Sequence, residues 1–249
     1  VLTTILALSV RKLSQKKVVI RRLGSIENIG NITLIATDKT GTLTENKLAL
    51  RSVFGSNLKE KKRFSDSEVL ILAMLFCNTA EVSTVKGRLV SSGDPLEIAL
   101  IKFLHNKGII REKLEKEWVY RKIIPFNSRD KKMSVSLYNR KENFEIFLSK
   151  GAPEVIIKDC KWFYDKGKKL LLSQELKEKI LARVKEEMSK GYKVLAFSEG
   201  GDETVFLGFS TFYDPPRKSV EKALKRAKEL GIKTVMITGD SKETALSVG

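Results

Sequence analysis

The segment Asp38-Lys39-Thr40-Gly41-Thr42-Leu43-Thr44 puts a carboxylate, a lysine, three threonine hydroxyls and a glycine within seven residues. That set suits transfer of a phosphoryl group to a carboxylate. The reaction needs an ionised, exposed aspartate, donors around the phosphoryl oxygens and backbone that can approach closely. As a bare D-x-x-G the segment reads first as a strand followed by an Asx-type turn, so its setting matters. The residues before it, Ile32 to Thr37, form a short uncharged run (ITLIAT) of the kind that makes a buried parallel strand. An aspartate at the carboxyl end of such a strand stands where open α/β sheets bind ligands. A second polar loop, Thr238-Gly239-Asp240, ends another apolar run, Ile232 to Ile237. The two strands can lie side by side although about 200 residues separate them, provided that a domain is inserted between them.

Other chemistries find little support. Neither a G-x-x-x-x-G-K-[ST] loop nor a G-x-G-x-x-G fingerprint occurs, so ATP is not expected in a P-loop, nor a dinucleotide in a Rossmann site. With one histidine, His105, and two distant cysteines, Cys77 and Cys160, neither a zinc cluster nor a disulfide framework can be assembled. His105 sits beside Gly108 at what reads as a helix end, which gives no ground for a Ser-His-Asp triad. The 249 residues carry 47 Lys and Arg against 30 Asp and Glu, a formal charge of +17. Such a balance suits nucleic acid, an anionic membrane face or a multiply charged ligand. No zinc finger, RRM signature or aromatic-interleaved basic stripe accompanies it, so a nucleic-acid module is the weaker reading.

The elements that must position the two loops can be sketched from pattern. The first ten residues (VLTTILALSV) are apolar, too few to cross a bilayer, which takes roughly 20. Arg11, Lys12, Lys16, Lys17, Arg21 and Arg22 follow, the bias expected on the cytoplasmic side of a membrane helix. An amphipathic helix on a soluble core reads equally well there. Between Arg51 and about Gly201 the patterning predicts helices over 67–80 and 95–104, the second with Asp94 as N-cap and Pro95 at the first helical position. A hairpin is expected over 133–138 and 144–148, then a helix bearing Leu176, Ile180, Leu181, Val184 and Met188 on one face, then a strand over 193–198. Asp214-Pro215-Pro216-Arg217 breaks the chain, and a charged amphipathic helix over 219–230 precedes the last strand.

Taken whole, the string DKTGTLTEN resembles the phosphorylation signature of the P-type ATPases almost letter for letter. The resemblance runs through nearly the full chain in order. TTILALSVRKL and VVIRRLGSIENIG look like the exit of a membrane helix and its stalk. CNTAEV, SGDPLEIAL, IPFNSRDKKMSV, KGAPE, YDPPR and MITGD look like the nucleotide and phosphorylation motifs of type II, calcium-pump-like cation pumps. DKTGTLT and MITGD are highly specific, KGAPE and DPPR specific in company, and the rest weak alone.

The resemblance implies an α/β fold: a haloacid dehalogenase-like parallel-sheet phosphorylation domain with an inserted α+β nucleotide-binding domain. It divides the chain into the end of a membrane helix with a basic stalk (1–22), a first phosphorylation part (23–50), the nucleotide domain (51–203) and an incomplete second phosphorylation part (204–249). The implied activity is ATP-driven cation transport through an aspartyl phosphate, on the cytoplasmic side of a membrane, with ATP and Mg²⁺. Asp38 becomes the nucleophile within a catalytic group of Asp38, Lys39, Thr40, Thr238, Gly239 and Asp240. Mg²⁺ falls to Asp38 and Thr40, and the phosphoryl group to Thr238 and Gly239. Phe126 is expected to stack on adenine and Glu97 to bond its edge. Lys131, Lys150 and Gly151 line the pocket, and Asp214 and Asp240 order the nucleotide.

Two departures stand out. Lys193 occupies a place where many relatives have arginine, which keeps the charge but loses the planar fork. The family's later lysine and GDGxND segment do not occur in these residues, so this chain by itself is expected to bind nucleotide weakly and not to turn over. The rival is a soluble haloacid dehalogenase-like phosphatase. Such enzymes mostly carry an acid/base aspartate two residues after the nucleophile, where this chain has Thr40.

Overall fold

The structure is a computed structural model of the chain and describes residues 2–22, 24–65, 68–85, 88–201 and 203–237. In chain order the first elements are α1 (Leu2–Gln15), α2 (Ser25–Gly30), β1 (Leu34–Asp38), β2 (Ala49–Gly55), α3 (Val69–Phe76), β3 (Glu81–Val85), β4 (Arg88–Ser92), α4 (Pro95–Asn106) and α5 (Arg111–Leu114). There follow β5 (Trp118–Asn127), β6 (Lys132–Asn139), β7 (Phe144–Gly151), α6 (Pro153–Asp159), β8 (Trp162–Asp165) and β9 (Lys168–Leu171). The last are α7 (Gln174–Ser189), β10 (Lys193–Glu199), β11 (Val205–Tyr213), α8 (Val220–Glu229) and β12 (Lys233–Ile237).

The described residues fall into two compact units. One holds the residues up to Glu45 with those from Pro216 onward, the other Asn46–Pro215. The chain passes between units at 45/46 and 215/216. The reason is pairing: β2 and β11 run antiparallel to each other, from Ala49 opposite Tyr213 to Gly55 opposite Gly208, inside the larger unit's sheet.

That sheet has eight strands, with β5-β6-β7-β10-β11 as its antiparallel run; β11 also takes β2 and, at Val205 and Phe206, β8 in parallel. Helices cover both faces. Val53, Met133, Val135, Leu148 and Phe197 pack with α3 and α4 into one core. Phe54, Ala196, Phe206 and Phe209 pack with α6 and α7 into another. Neighbours such as Val53 and Phe54 part to opposite cores because strand side chains alternate. β11 is buried on both faces, which is why VFLGFSTFY reads as a nearly unbroken apolar run. The octapeptide of α3, VLILAMLF, is apolar all round and lies within the first core. It stops at Phe76, four residues short of the pattern's helix over 67–80, and residues 77–80 leave it to serve the site described below.

Cys77 sits in the first core and Cys160 in the second, and burial pushes each thiol up to about 12. At pH 8 that lowers the thiolate fraction by roughly three orders of magnitude against a free cysteine. Neither should be alkylated by iodoacetamide without denaturant; labelling at the rate of a free thiol contradicts this packing.

In the smaller unit β1 and β12 form a two-stranded parallel sheet, in register from Leu34 opposite Lys233 to Asp38 opposite Ile237. The side-by-side placement matches the sequence reading. The expected burial does not: Leu34, Ile35 and Ile237 are 49%, 40% and 62% exposed. Parallel strands are buried only when other elements cover both faces, and among the described residues this sheet has two strands. No helix among them is long and apolar enough to cross a membrane.

Candidate functional site

β1 delivers Asp38 to the edge of a single wide helical turn, Lys39–Leu43. Asp38 has extended backbone (φ −75°, ψ 150°) and makes no side-chain cap. Its carboxylate is exposed, so its oxygens are not consumed by the turn they introduce. Gly41 has φ 77°, left-handed geometry that costs other residues a clash at Cβ. The Thr44 amide donates to the Lys39 carbonyl at 3.1 Å. The buried Thr44 hydroxyl accepts from the Gly41 amide at 3.1 Å and donates to the Lys39 carbonyl at 3.3 Å. Lys39 is itself buried, within the loop and not on its surface.

From 175 residues away, Arg217 donates through Nε to the Thr42 carbonyl (3.2 Å) and through a terminal nitrogen to the Gly41 carbonyl (2.9 Å). Thr238, Gly239, Asp240 and the Thr40 side chain lie outside the described residues. Their nearest described neighbour in sequence, Ile237, is the register partner of Asp38.

In the larger unit Asp94 caps α4 as the sequence predicts, accepting from the Leu96 and Glu97 amides at 2.8 and 3.2 Å. Glu97 thereby faces β7, where Lys150 Nζ lies 2.5 Å from its Oε1, the two side chains being 6% and 8% exposed. Oε2 accepts three more hydrogen bonds, from the Thr79 amide (2.7 Å), the Thr79 hydroxyl (2.8 Å) and the Ala80 amide (3.0 Å). Burial pushes the Glu97 carboxyl up, but the Lys150 charge and these donors more than offset it and hold it below the usual carboxylate value. Burial also draws the Lys150 ammonium down, and Glu97 restores part of that. Oε2 thus carries three donors and Oε1 one, so the carboxylate holds Lys150 against β7 with only 8% of the side chain open to solvent.

Sequence reasoning passed over the groups that hold this pair. Asn78 donates to the Glu97 carbonyl (3.1 Å) and accepts from the Ala80 amide (2.9 Å). Behind them Arg111 donates to the Tyr120 hydroxyl (2.6 Å), which donates to the Phe76 carbonyl (2.9 Å). The signal was the motif CNTAEV, read only as a likeness.

Gly151 is demanded by close approach. A Cβ there would lie 2.4 Å from the Lys131 carbonyl oxygen and 2.8 Å from Lys132 Cα, and the Ala152 amide bonds that same carbonyl at 2.9 Å. Gly151→Ala should therefore destabilise the larger unit by about 1–3 kcal/mol, read as a lower urea midpoint; an unchanged midpoint contradicts the contact. Lys131, in left-handed geometry at φ 48°, is exposed and 3.3 Å from Glu154.

Phe126 stands apart. Pro125 cannot donate to a ladder, and the β5–β6 register slips between Ile124 and Asn127, an edge-strand bulge that re-aims the next side chain. Phe126 is 60% exposed and flanks a cleft of about 700 Å³ that Ser134, Ser149 and Ser198 also line. Glu97, Lys131, Lys150, Gly151 and Lys193 are not among the residues of that cleft. Lys193 opens β10 opposite Phe212, two residues before Asp214, whose Oδ1 accepts from the Lys47 amide at 3.1 Å. The structure thus pairs Glu97 with Lys150 and joins Gly151 to Lys131.

The larger unit is a mixed one of helices and a mostly antiparallel sheet, inserted in the chain between β1, which ends on the exposed Asp38, and β12. Residues 66–219 match the family described as P-type ATPase, cytoplasmic domain N, and the chain belongs to the P-type ATPases. It is 32% identical to calcium-transporting ATPase 1 of Lactococcus lactis, over all of this chain and 30% of that protein. It is likewise 32% identical to calcium-transporting ATPase 1 of Schizosaccharomyces pombe (all of this chain, 30% of the relative). Against the human calcium-transporting ATPase type 2C member 1 the identity is 31%, over all of this chain and 29% of the relative. The chain thus spans about 30% of the length of the curated relatives it matches.

Proposed function

We propose that this chain is the nucleotide-binding and phosphorylated part of an ATP-driven cation pump, with calcium the cargo to test first because its relatives are named for calcium transport. The observation that carries the reading is the exposed, uncapped Asp38 at the carboxyl end of β1, in parallel register with Ile237. The smaller unit is then part of a haloacid dehalogenase-like phosphorylation domain, the residues before Leu23 its stalk to the cytoplasmic face of a membrane.

In this reading ATP enters the larger unit's cleft beside Phe126; Lys131, Lys150, Gly151 and Lys193 lie outside the lining of that cleft and would meet the rest of the nucleotide, with Glu97 keeping Lys150 in place and Asp214 near the phosphate end. Asp38 attacks the γ-phosphorus, the bond to the β–γ bridging oxygen breaks, and ADP leaves with that electron pair. Thr40, Thr238 and Gly239 hold the transferred group, Lys39 completes its loop, and Asp240 helps Asp214 to order the nucleotide.

The donor set at Asp38 fits magnesium. The carbonyls of Lys39, Gly41, Thr42 and Leu43 accept hydrogen bonds within the unit. The Asp38 carboxylate and the Thr40 carbonyl, which the resemblance gives to the ion, are hard oxygens that would suit one that keeps several of its waters. When bound, it would offset the repulsion between carboxylate and phosphate, roughly 4 kcal/mol for two unit charges 4 Å apart at an effective dielectric of 20.

The test is acid-stable, hydroxylamine-labile labelling of the complete polypeptide from γ-phosphate-labelled ATP, in vesicles with and without calcium. Calcium-dependent labelling supports the reading; no labelling with any cation overturns it.

A further inference from the structure

We propose that Arg217 is a positioning residue for phosphoryl transfer, setting the loop that carries Asp38 by gripping its carbonyl end. The proposal rests on the reading of Asp38 as the phosphorylated residue. The last carbonyls of a helical turn lack internal partners. Here three in succession are taken by one residue: Gly41 and Thr42 by the Arg217 guanidinium, Leu43 by the Arg217 amide at 2.9 Å. Nothing in the local sequence of the loop supplies this. A cation at that end also opposes the partial negative charge of the aligned carbonyls.

Pro216 brings the arginine there. It forms an isolated antiparallel bridge with Thr44, and its restricted φ sets the direction in which the chain leaves. The guanidinium fork spans two carbonyls at once, which an ammonium on a flexible stem does not do from one position. At the other end of the turn stands Asp38. With its carbonyl end loose, the turn can unwind, and the carboxylate loses its fixed approach to an incoming phosphorus. Misplacement of a reacting group by about 1 Å costs on the order of 100-fold in rate. Arg217 is exposed and touches no reacting atom in this arrangement, so its effect passes through the loop.

The experiment uses Arg217→Ala, Arg217→Lys and Asp38→Asn in the complete polypeptide. Arg217→Ala should slow labelling from ATP by roughly 30- to 100-fold at saturating ATP, leaving the ATP concentration for half-maximal labelling within about twofold of wild type. Arg217→Lys should recover only a small part of the rate. Hydrogen exchange in peptides spanning Asp38–Lys47 should rise about tenfold or more in Arg217→Ala, with β2 and β11 unchanged. Wild-type labelling in Arg217→Ala, unchanged exchange around the loop, or a parallel loss of nucleotide affinity overturns the proposal. Absence of labelling in wild type, or its persistence in Asp38→Asn, overturns the proposed function instead.

Discussion

Asp38→Asn is expected to abolish acid-stable labelling of the complete polypeptide from ATP, by roughly 10⁴-fold or more, because an amide has neither the charge nor the nucleophilicity of a carboxylate. The change is isosteric, and Asp38 caps nothing in the turn it introduces, so the loop should keep its form. A second consequence separates lost chemistry from lost folding. Removing one unit charge removes a repulsion of roughly 4 kcal/mol at 4 Å and an effective dielectric of 20, less whatever a metal ion already offsets. ATP should therefore bind the Asp38→Asn protein at least as tightly as wild type, measured by equilibrium dialysis. Labelling that survives the substitution moves the acceptor to another residue, while loss of both labelling and ATP binding points to misfolding.

The other large effect lies in the pair Glu97 and Lys150. Removing one partner leaves a buried charge uncompensated, and such losses run to about 3–5 kcal/mol. Lys150→Met should lower the stability of this chain by that amount in urea titrations followed by the fluorescence of Trp118, which packs in the same core. Glu97→Gln should cost a similar amount, since an amide oxygen that still accepts from Thr79 and Ala80 turns the amide nitrogen toward the buried Lys150 ammonium. The double replacement should recover part of the loss of Lys150→Met, because a neutral pair needs no compensation.

The pH dependence has a definite sign. The folded-state value of Glu97 lies below its ordinary 4.5, so its contribution is complete above that value and is lost as pH falls through the depressed one. Glu97→Gln should lack that portion of the acid loss. A cost below about 1 kcal/mol for Lys150→Met would mean that the pair is not closed in solution.

How legible the protein was differs from element to element. α4 could be read to its first residue, because Asp94 and Pro95 act within one turn and need nothing from the rest of the chain. The β6–β7 hairpin was equally clear, since alternation and a polar turn are local signals. The length of α3 was not legible: its apolar run gives no period, and its end was decided by the use made of Asn78, Thr79 and Ala80 by Glu97. Nor could the exposure of Phe126 be read from its motif, although Pro125 beside it was a usable warning.

Sequence alone determined the chemistry on offer, because the identity of Asp38 and the polar loop behind it are properties of a few adjacent residues. It determined family membership as well, through motifs kept in order along the chain. Tertiary structure decided which of those residues meet. Glu97 and Lys150 stand 53 positions apart, and Arg217 and Gly41 176. Contacts at such separations depend on strand register and on the packing of two cores, quantities that no local window of residues encodes.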